Sequence, residues 1–175
     1  MIGAQCSDLP PKNASEPRAE ISSAGNARLF GFESELEPNL TYIPMAVRFK
    51  LDKCGIKLSL GAWQQLPEDR RRELLRAPCD NATDIASYRR VLCAFVVECT
   101  GDEPPSIPVA EYPRWADKNI PEQIIQAVIA IDLPPPSSAR WCTLTPLQRF
   151  ALLKLSREGR EHRNLGLALR EFGLL

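Results

Sequence analysis

The chain has 175 residues, of which 44% are apolar and 25% are charged, as is usual for a soluble globular domain. Its 22 lysines and arginines balance 22 aspartates and glutamates, which argues against a dedicated nucleic-acid or membrane-surface binder. The longest apolar runs are far shorter than the roughly 20 residues of a membrane span, and the N-terminus lacks an apolar signal core. We therefore expect a cytoplasmic protein with no membrane contact, whose six cysteines are free thiols.

The N-terminal residues 1–29 are rich in Ser, Ala, Pro and Asn and contain few aliphatic side chains. We interpret them as a disordered tail that precedes a single helical domain at residues 30–175. At the start of this domain, Phe30 and Phe32 alternate with small or polar residues, which is typical of a short strand or of an extended arm. The same stretch carries an acidic run that we expect to be solvated, formed by Glu33, Glu35 and Glu37.

The first half of the domain has clear helix start and stop signals. Pro44 suits the first turn of a helix and Gly55 suits the residue just past its end. The apolar stripe of this helix, formed by Val47, Leu51 and Cys54, should face inward, and Met45 and Phe49 should pack on its other side. Two further short helices are predicted, one after a Ser59 cap and one opening at Pro67. A long helix, capped within 80–83 and closed by Gly101, is expected at the centre of the fold.

The second half alternates proline-rich connections with short helices. Residues 102–120 should form an extended crossing segment that is pinned by Tyr112 and Trp115. Residues 121–131 are predicted to be a helix, and "DLPPPSSARWC" is predicted to be a rigid loop. Thr145 and Gln148 form a capping-box pattern for a helix that ends at Gly159, and a last helix lies between Asn164 and Gly173. The fold class is therefore all-α, with six or seven short helices joined by proline-rich loops.

Residue types that carry chemistry are sparse. His162 is the only histidine and lies in a charged turn, which favours a surface side chain over a nucleophilic pair. There is no C-x-x-C pair, and Cys93 and Cys99 are about 240° apart on one helix, so they face different ways. No glycine-rich phosphate loop is present. We therefore assign no catalytic residue, metal or cofactor, although a reactive Cys54 remains an alternative.

Charge placement is the one asymmetry along the chain. Residues 140–175 contain seven lysines and arginines against three acidic residues, and the predicted helix after Pro44 is also basic. If these two regions are neighbours, they form a basic face that could dock an acidic protein or an anionic cofactor. The candidate partner contacts are Arg48, Lys50, Lys53, Arg149, Lys154 and Arg157. An ordinary solvated helix surface is the competing interpretation.

Three phrases, "YIPMAVRFKLDKCGIKLSLGAW", "LQRFALLKLSREG" and "LALREFGLL", together resemble the nitrate reductase-associated protein family, known mainly from cyanobacteria and other nitrate assimilators. The resemblance covers about residues 30–175. It implies a non-catalytic accessory or maturation factor for assimilatory nitrate reductase, with the reductase as protein partner and a role in assembly or molybdenum cofactor insertion. The alternative is a helical nucleic-acid-binding regulator of nitrogen assimilation genes, in which Arg70, Arg71 and Arg72 would contact phosphates.

Overall fold

The structure, a computed structural model, describes residues 29–34, 39–157 and 162–175. Within those ranges the chain forms nine α-helices and one 3₁₀ turn, so the all-α prediction is confirmed. None of these helices is long and apolar enough to cross a membrane. The elements in chain order are α1 (Gly31–Ser34), α2 (Met45–Cys54), α3 (Leu60–Gln65), α4 (Glu68–Arg76), α5 (Ala82–Thr100), the 3₁₀ turn (Arg114–Ala116), α6 (Glu122–Ile129), α7 (Ser138–Thr143), α8 (Pro146–Leu155) and α9 (Arg163–Glu171). The predicted tail lies outside the described residues except for Leu29, as do Glu35 and Glu37.

The local capping signals decide most helix ends. Helix α2 begins after Pro44, and Gly55 follows it with a left-handed φ of 67°, as the sequence predicts. The Ser59 hydroxyl accepts a hydrogen bond from the backbone N–H of Ala62 at 3.0 Å, which starts α3. Helix α8 opens with the complete capping box of Thr145 and Gln148. These predictions held because each cap depends on residues only a few positions apart.

Two helices and one helix end differ from expectation. The supposed rigid loop at 132–142 contains α7, which is started by the Ser137 hydroxyl and anchored by the fully buried Trp141. The supposed strand or arm near Phe32 is the single turn α1, and α8 ends at Leu155, four residues before Gly159. Both missed helices are too short for an apolar period to be visible, and tertiary contacts hold them in place.

Helices α2 and α8 occupy the centre of the domain and pack against each other. Both apolar sides of α2 are buried, including Met45 and Phe49 as well as Cys54, as its pattern predicts. The long helix α5 was expected at the centre, but it packs on one side of α2, and its outer face leaves Ala94 and Val97 exposed. A helix apolar on two sides takes the central position, because a helix with one polar side must keep that side in water.

The segment after α5 crosses the domain and is fixed at its start and near its end. An isolated antiparallel bridge joins Ile56 to Ser106, with the Ile107 N–H donating to the Gly55 carbonyl at 2.9 Å. Near its end, Trp115 packs edge-to-face on Phe49 with ring centroids 4.9 Å apart. Pinning by aromatic residues therefore holds for Trp115 but not for Tyr112, which is 86% exposed.

The first and last helices clasp each other. The Glu171 carboxylate near the C-terminus accepts from the Gly31 N–H at 2.8 Å and from the Phe32 N–H at 3.2 Å. Phe172 adds an edge-to-face contact with Phe30 at 4.9 Å. The carboxylate satisfies amides at the start of α1 that its own short turn cannot pair.

Candidate partner-binding groove

The structure separates the six predicted partner contacts into different environments. Lys53, Lys154 and Arg157 line one groove, Arg48 lies at a second cavity, and Lys50 and Arg149 are engaged inside the domain. Among the residues that the structure describes, these six side chains therefore do not form one continuous basic face. Which of these side chains contacts a partner stays a prediction.

Lys50 points into the protein and is only 2% exposed. Its ammonium donates to the carbonyls of Leu75 and Ala77, both at 2.7 Å, and to that of Leu74 at 3.3 Å. These carbonyls end helix α4, where a cation also interacts favourably with the helix dipole. Burial lowers the pKa of Lys50 to about 8, so the side chain is still mostly protonated at neutral pH. Lys50 is therefore a helix cap, and it is too buried to serve as a surface contact.

Arg149 ties helix α7 and the residue after the 3₁₀ turn to α8. Its guanidinium donates to the carbonyls of Trp141, Asp117 and Cys142 at 3.1–3.2 Å. It also lies over the Trp141 ring, 5.4 Å from the centroid. Arg is suited to this work because its planar fork can reach several acceptors at once.

Arg48 and Glu33 meet beside the start of α2. The Arg48 Nε donates to the Ile43 carbonyl at 2.8 Å, and the Glu33 carboxylate accepts from the Met45 N–H at 2.7 Å. Burial raises the pKa of Glu33, although its backbone hydrogen bonds and the Arg48 charge oppose that shift. The expectation that Glu33 is solvated is wrong, because the first amide of α2 has no partner within its own helix and draws in this acceptor.

One wall of the remaining groove, called here the basic groove, is formed by Asp52 and Lys53 of α2 with Lys154 and Arg157 at the end of α8. The groove has a volume of about 450 Å³. Lys154 pairs with Asp52 at 2.9 Å and so ties the two central helices together. Lys53 donates to the carbonyl of Cys79, and Arg157 is exposed. Sequence reasoning correctly brought these three cations together but did not foresee that Asp52 neutralises one of them.

The opposite wall is the crossing segment, which the sequence interpretation left without a function. Three of its apolar side chains are exposed: Ile107 at 36%, Val109 at 56% and Tyr112 at 86%. The acidic Glu111 also lines this side of the groove. The sequence signal that could have indicated this wall is the run "IPVAEY", which is largely apolar and is flanked and interrupted by prolines. Prolines stiffen the backbone, so apolar side chains on such a segment can be held at the surface and not in the core.

Gly55 is what allows the crossing segment to lie against α2. Apart from its positive φ, a Cβ atom at this position would lie 2.7 Å from the Ile107 carbonyl oxygen and 2.8 Å from Val109 Cγ2. The guanidinium of Arg89 reinforces the contact, since it donates to the Cys54 carbonyl at 2.6 Å and to the Ser106 hydroxyl at 2.7 Å. The wall of the groove is therefore fixed by close backbone packing.

Burial makes the Cys54 thiol of the described structure poorly suited to nucleophilic chemistry. Cys54 is buried, and burial raises the pKa of its thiol to about 12, so the nucleophilic thiolate is rare at neutral pH. Burial also raises the pKa values of Cys79 and Cys93. In the described ranges, no group of three or more His, Cys, Asp or Glu side chains is placed to hold a metal ion.

The arginines considered for phosphate contacts all have partners within the protein. Arg70 pairs with Glu98 at 3.6 Å and lies over the Phe95 ring at 4.0 Å. Arg71 donates to the Leu40 carbonyl at 2.8 Å, and Arg72 pairs with Glu68 one turn earlier on α4. These contacts do not favour a nucleic-acid interface at α4.

Comparison with known protein families gives a match over most of the chain. A family model described as conserved nitrate reductase-associated protein matches residues 29–172. No curated protein and no solved structure matches the chain.

Proposed function

Because this chain belongs to the nitrate reductase-associated protein family, we propose that it is a non-catalytic accessory protein that supports assimilatory nitrate reductase. It binds the apoenzyme during assembly or insertion of the molybdenum cofactor. The family match spans every helix of the described structure, from α1 to α9. The match that supports the proposal therefore covers the whole domain rather than an appended segment.

The observation that carries the proposal is the exposed apolar side of the basic groove. Val109 lines the groove, and Tyr112 lies beside it on the same crossing segment. Both side chains are more than half exposed, and the segment is held at Ser106 and at Trp115. Apolar and aromatic side chains held on the surface beside an arginine are typical of protein interfaces. Lys53 and Arg157 on the other wall favour an acidic segment of the reductase as the occupant.

The buried thiols support an accessory role over catalysis. An enzyme that used Cys54 would need an accessible thiolate, whereas this thiol is 4% exposed and has a raised pKa. We expect Cys54 in the native protein to react with iodoacetamide much more slowly than the exposed Cys142, as measured by mass spectrometry of peptides after timed labelling. Equal labelling rates would return Cys54 to consideration as a nucleophile.

The docking test uses a double variant in the crossing segment, Val109→Asp with Tyr112→Ser. Both positions are exposed, so the melting temperature should stay within a few degrees of the unchanged protein. We expect co-purification with nitrate reductase from cells to fall roughly tenfold, with a parallel loss of nitrate reductase activity. The comparison is made in cells grown with and without molybdenum, since an assembly factor should be retained longer on enzyme that lacks its cofactor.

The matched control is Ile129→Asp with Leu167→Ser, which removes two exposed apolar side chains from α6 and α9. This control should leave co-purification unchanged. Charge reversal at Lys53 and Arg157 forms a second arm and should weaken association more at low salt than at high salt. Normal co-purification and reductase activity with the Val109/Tyr112 variant would remove the groove as the docking site.

A further inference from the structure

Another pocket, distinct from the basic groove and from the cavity beside Arg48, has a volume of about 590 Å³. It is lined by side chains of α6, by residues at the end of α8 and by His162. It shares Arg157 with the basic groove, and Arg114 of the 3₁₀ turn lies at its edge. Neither the proposed docking function nor the sequence interpretation assigns a role to this pocket. A volume of this size falls within the range of small-molecule sites.

Among the described residues that line the pocket, positive charge predominates. Arg114, Arg157 and His162 line it against one carboxylate, Glu122, which already accepts a hydrogen bond from the Gln126 side-chain amide. Ion pairs between described residues involve Arg70, Arg72 and Lys154, and none involves the two pocket arginines. The guanidinium charges at this pocket are therefore not compensated by a described carboxylate.

A hydrogen-bond chain from the core orients Arg114. Ser156, which is 2% exposed, shares the Gln123 side-chain N–H₂ with the Leu153 carbonyl, both at 3.0 Å. This arrangement turns the Gln123 carbonyl oxygen outward, where it accepts from Arg114 Nη1 at 3.3 Å. The group that holds the guanidinium is a neutral amide and not a carboxylate. Arg114 is therefore positioned while its positive charge stays uncompensated.

The histidine is oriented in the same way. The Nδ1 of His162 lies 3.1 Å from the Leu155 carbonyl oxygen, which can only accept, so Nδ1 carries a proton. The other nitrogen, Nε2, is left to interact with a ligand. The Nε2 atom accepts a hydrogen bond from a ligand O–H when it is unprotonated and donates one when it is protonated, so the ring can serve a phosphate group beside the two guanidiniums.

We propose that this pocket binds a small ligand through a phosphate group, held by Arg114, Arg157 and His162. Guanidinium forks match the geometry of phosphate oxygens, and the pocket is larger than inorganic phosphate alone requires. A phosphate monoester of a small molecule therefore fits better than the free ion. The inference does not depend on the docking function, because it concerns the isolated protein.

The test uses the single histidine as its reporter, since the Cε1–H proton resonance of the full chain can only come from His162. The protein is titrated with inorganic phosphate, with a nucleoside monophosphate, and with sodium chloride at matched ionic strength. We expect both phosphate compounds to shift the resonance saturably, with tighter binding of the monophosphate.

Two variants complete the test. Arg114→Gln should weaken binding of the monophosphate roughly tenfold, whereas Arg90→Gln, on the exposed face of α5, should leave it unchanged. The proposal is overturned if sodium chloride produces the same shift as phosphate, or if Arg114→Gln binds as tightly as the unchanged protein. Since no reductase is present, either result leaves the docking proposal standing on its own evidence.

Discussion

Lys50 and Arg157 are both cations at the two central helices, one within α2 and the other just past the end of α8. Lys50 faces three carbonyls at the end of α4 and is almost wholly buried, whereas Arg157 is exposed between two pockets. The difference shows that a basic residue type does not by itself indicate a docking surface. What decides its role is whether the neighbouring backbone presents acceptors that lack partners.

The largest effect on stability is expected when the buried Lys50 is replaced. Lys50→Met keeps an unbranched apolar stem but leaves the three carbonyls at the end of α4 without their donor. We expect the free energy of unfolding to fall by about 3 kcal/mol at pH 7, measured by urea denaturation. Stability equal to that of the unchanged protein would mean that water replaces the ammonium, and that Lys50 is not a structural cap.

Gly55 joins helix α2 to the crossing segment, and changing this glycine should disturb the packing of both. Gly55→Ala forces a Cβ atom into a left-handed residue and against the Ile107 carbonyl oxygen. We expect a loss of about 2 kcal/mol in the free energy of unfolding and, separately, faster hydrogen exchange at the Ile107 amide. Gly101→Ala is the matched control, because it has a positive φ but no atom within 4 Å of the added carbon. Equal amide exchange in the two variants would contradict the close-packing explanation.

A smaller effect should appear in the pH dependence of stability, because the buried Lys50 has a lowered pKa. The pKa of Lys50 is lowered to about 8 in the folded protein from 10.5 in the unfolded chain, so the unfolded state binds more protons between these values. Burial of the ammonium therefore carries a cost in stability that is absent above pH 10.5, grows as pH falls from 10.5 to 8 and is complete below pH 8, in addition to the hydrogen bonds that Lys50 donates. Between pH 7 and pH 9, the stability difference between the unchanged protein and Lys50→Met should grow by about 1 kcal/mol. Denaturation curves at several pH values check this, and a difference independent of pH would contradict the lowered pKa.

The smallest effect belongs to the exposed side of the comparison. Arg157→Gln should change the free energy of unfolding by less than about 0.5 kcal/mol, since the side chain has water around it. Its consequence should appear instead in co-purification with the reductase and in phosphate binding. Thermal denaturation of Arg157→Gln beside Lys50→Met gives the contrast directly, and a similar loss of stability in both would remove the distinction between the two regions.

How far the sequence predicts this fold depends on the range of the interactions. The start of α2 after Pro44, its end at Gly55 and the capping box of Thr145 were predictable, because their partners lie within four residues. Helix α7 was missed because its stability comes from Trp141 inside the core rather than from its six residues.

The site was predictable only in part, for the same reason. The spacing along α2 and α8 brings Lys53 close to Lys154, and this follows from helices that pack side by side. The inward position of Lys50 depends on where the end of α4 lies, 24–27 residues further along the chain. Nor does sequence alone reveal that Glu33 pairs with the first amide of α2, since charged residues are usually exposed.

The clasp between Glu171 and the amides of α1 also has a consequence for synthesis of the protein. A ribosome makes α1 long before it makes α9, and the two are 140 residues apart in the Gly31–Glu171 hydrogen bond. The acceptor for α1 therefore emerges from the ribosome only after the other helices of the domain have been made, so this bond cannot form before then. Any truncation that removes residues 171–175 releases the first helix as well, and the two ends of the domain are completed in one closing step.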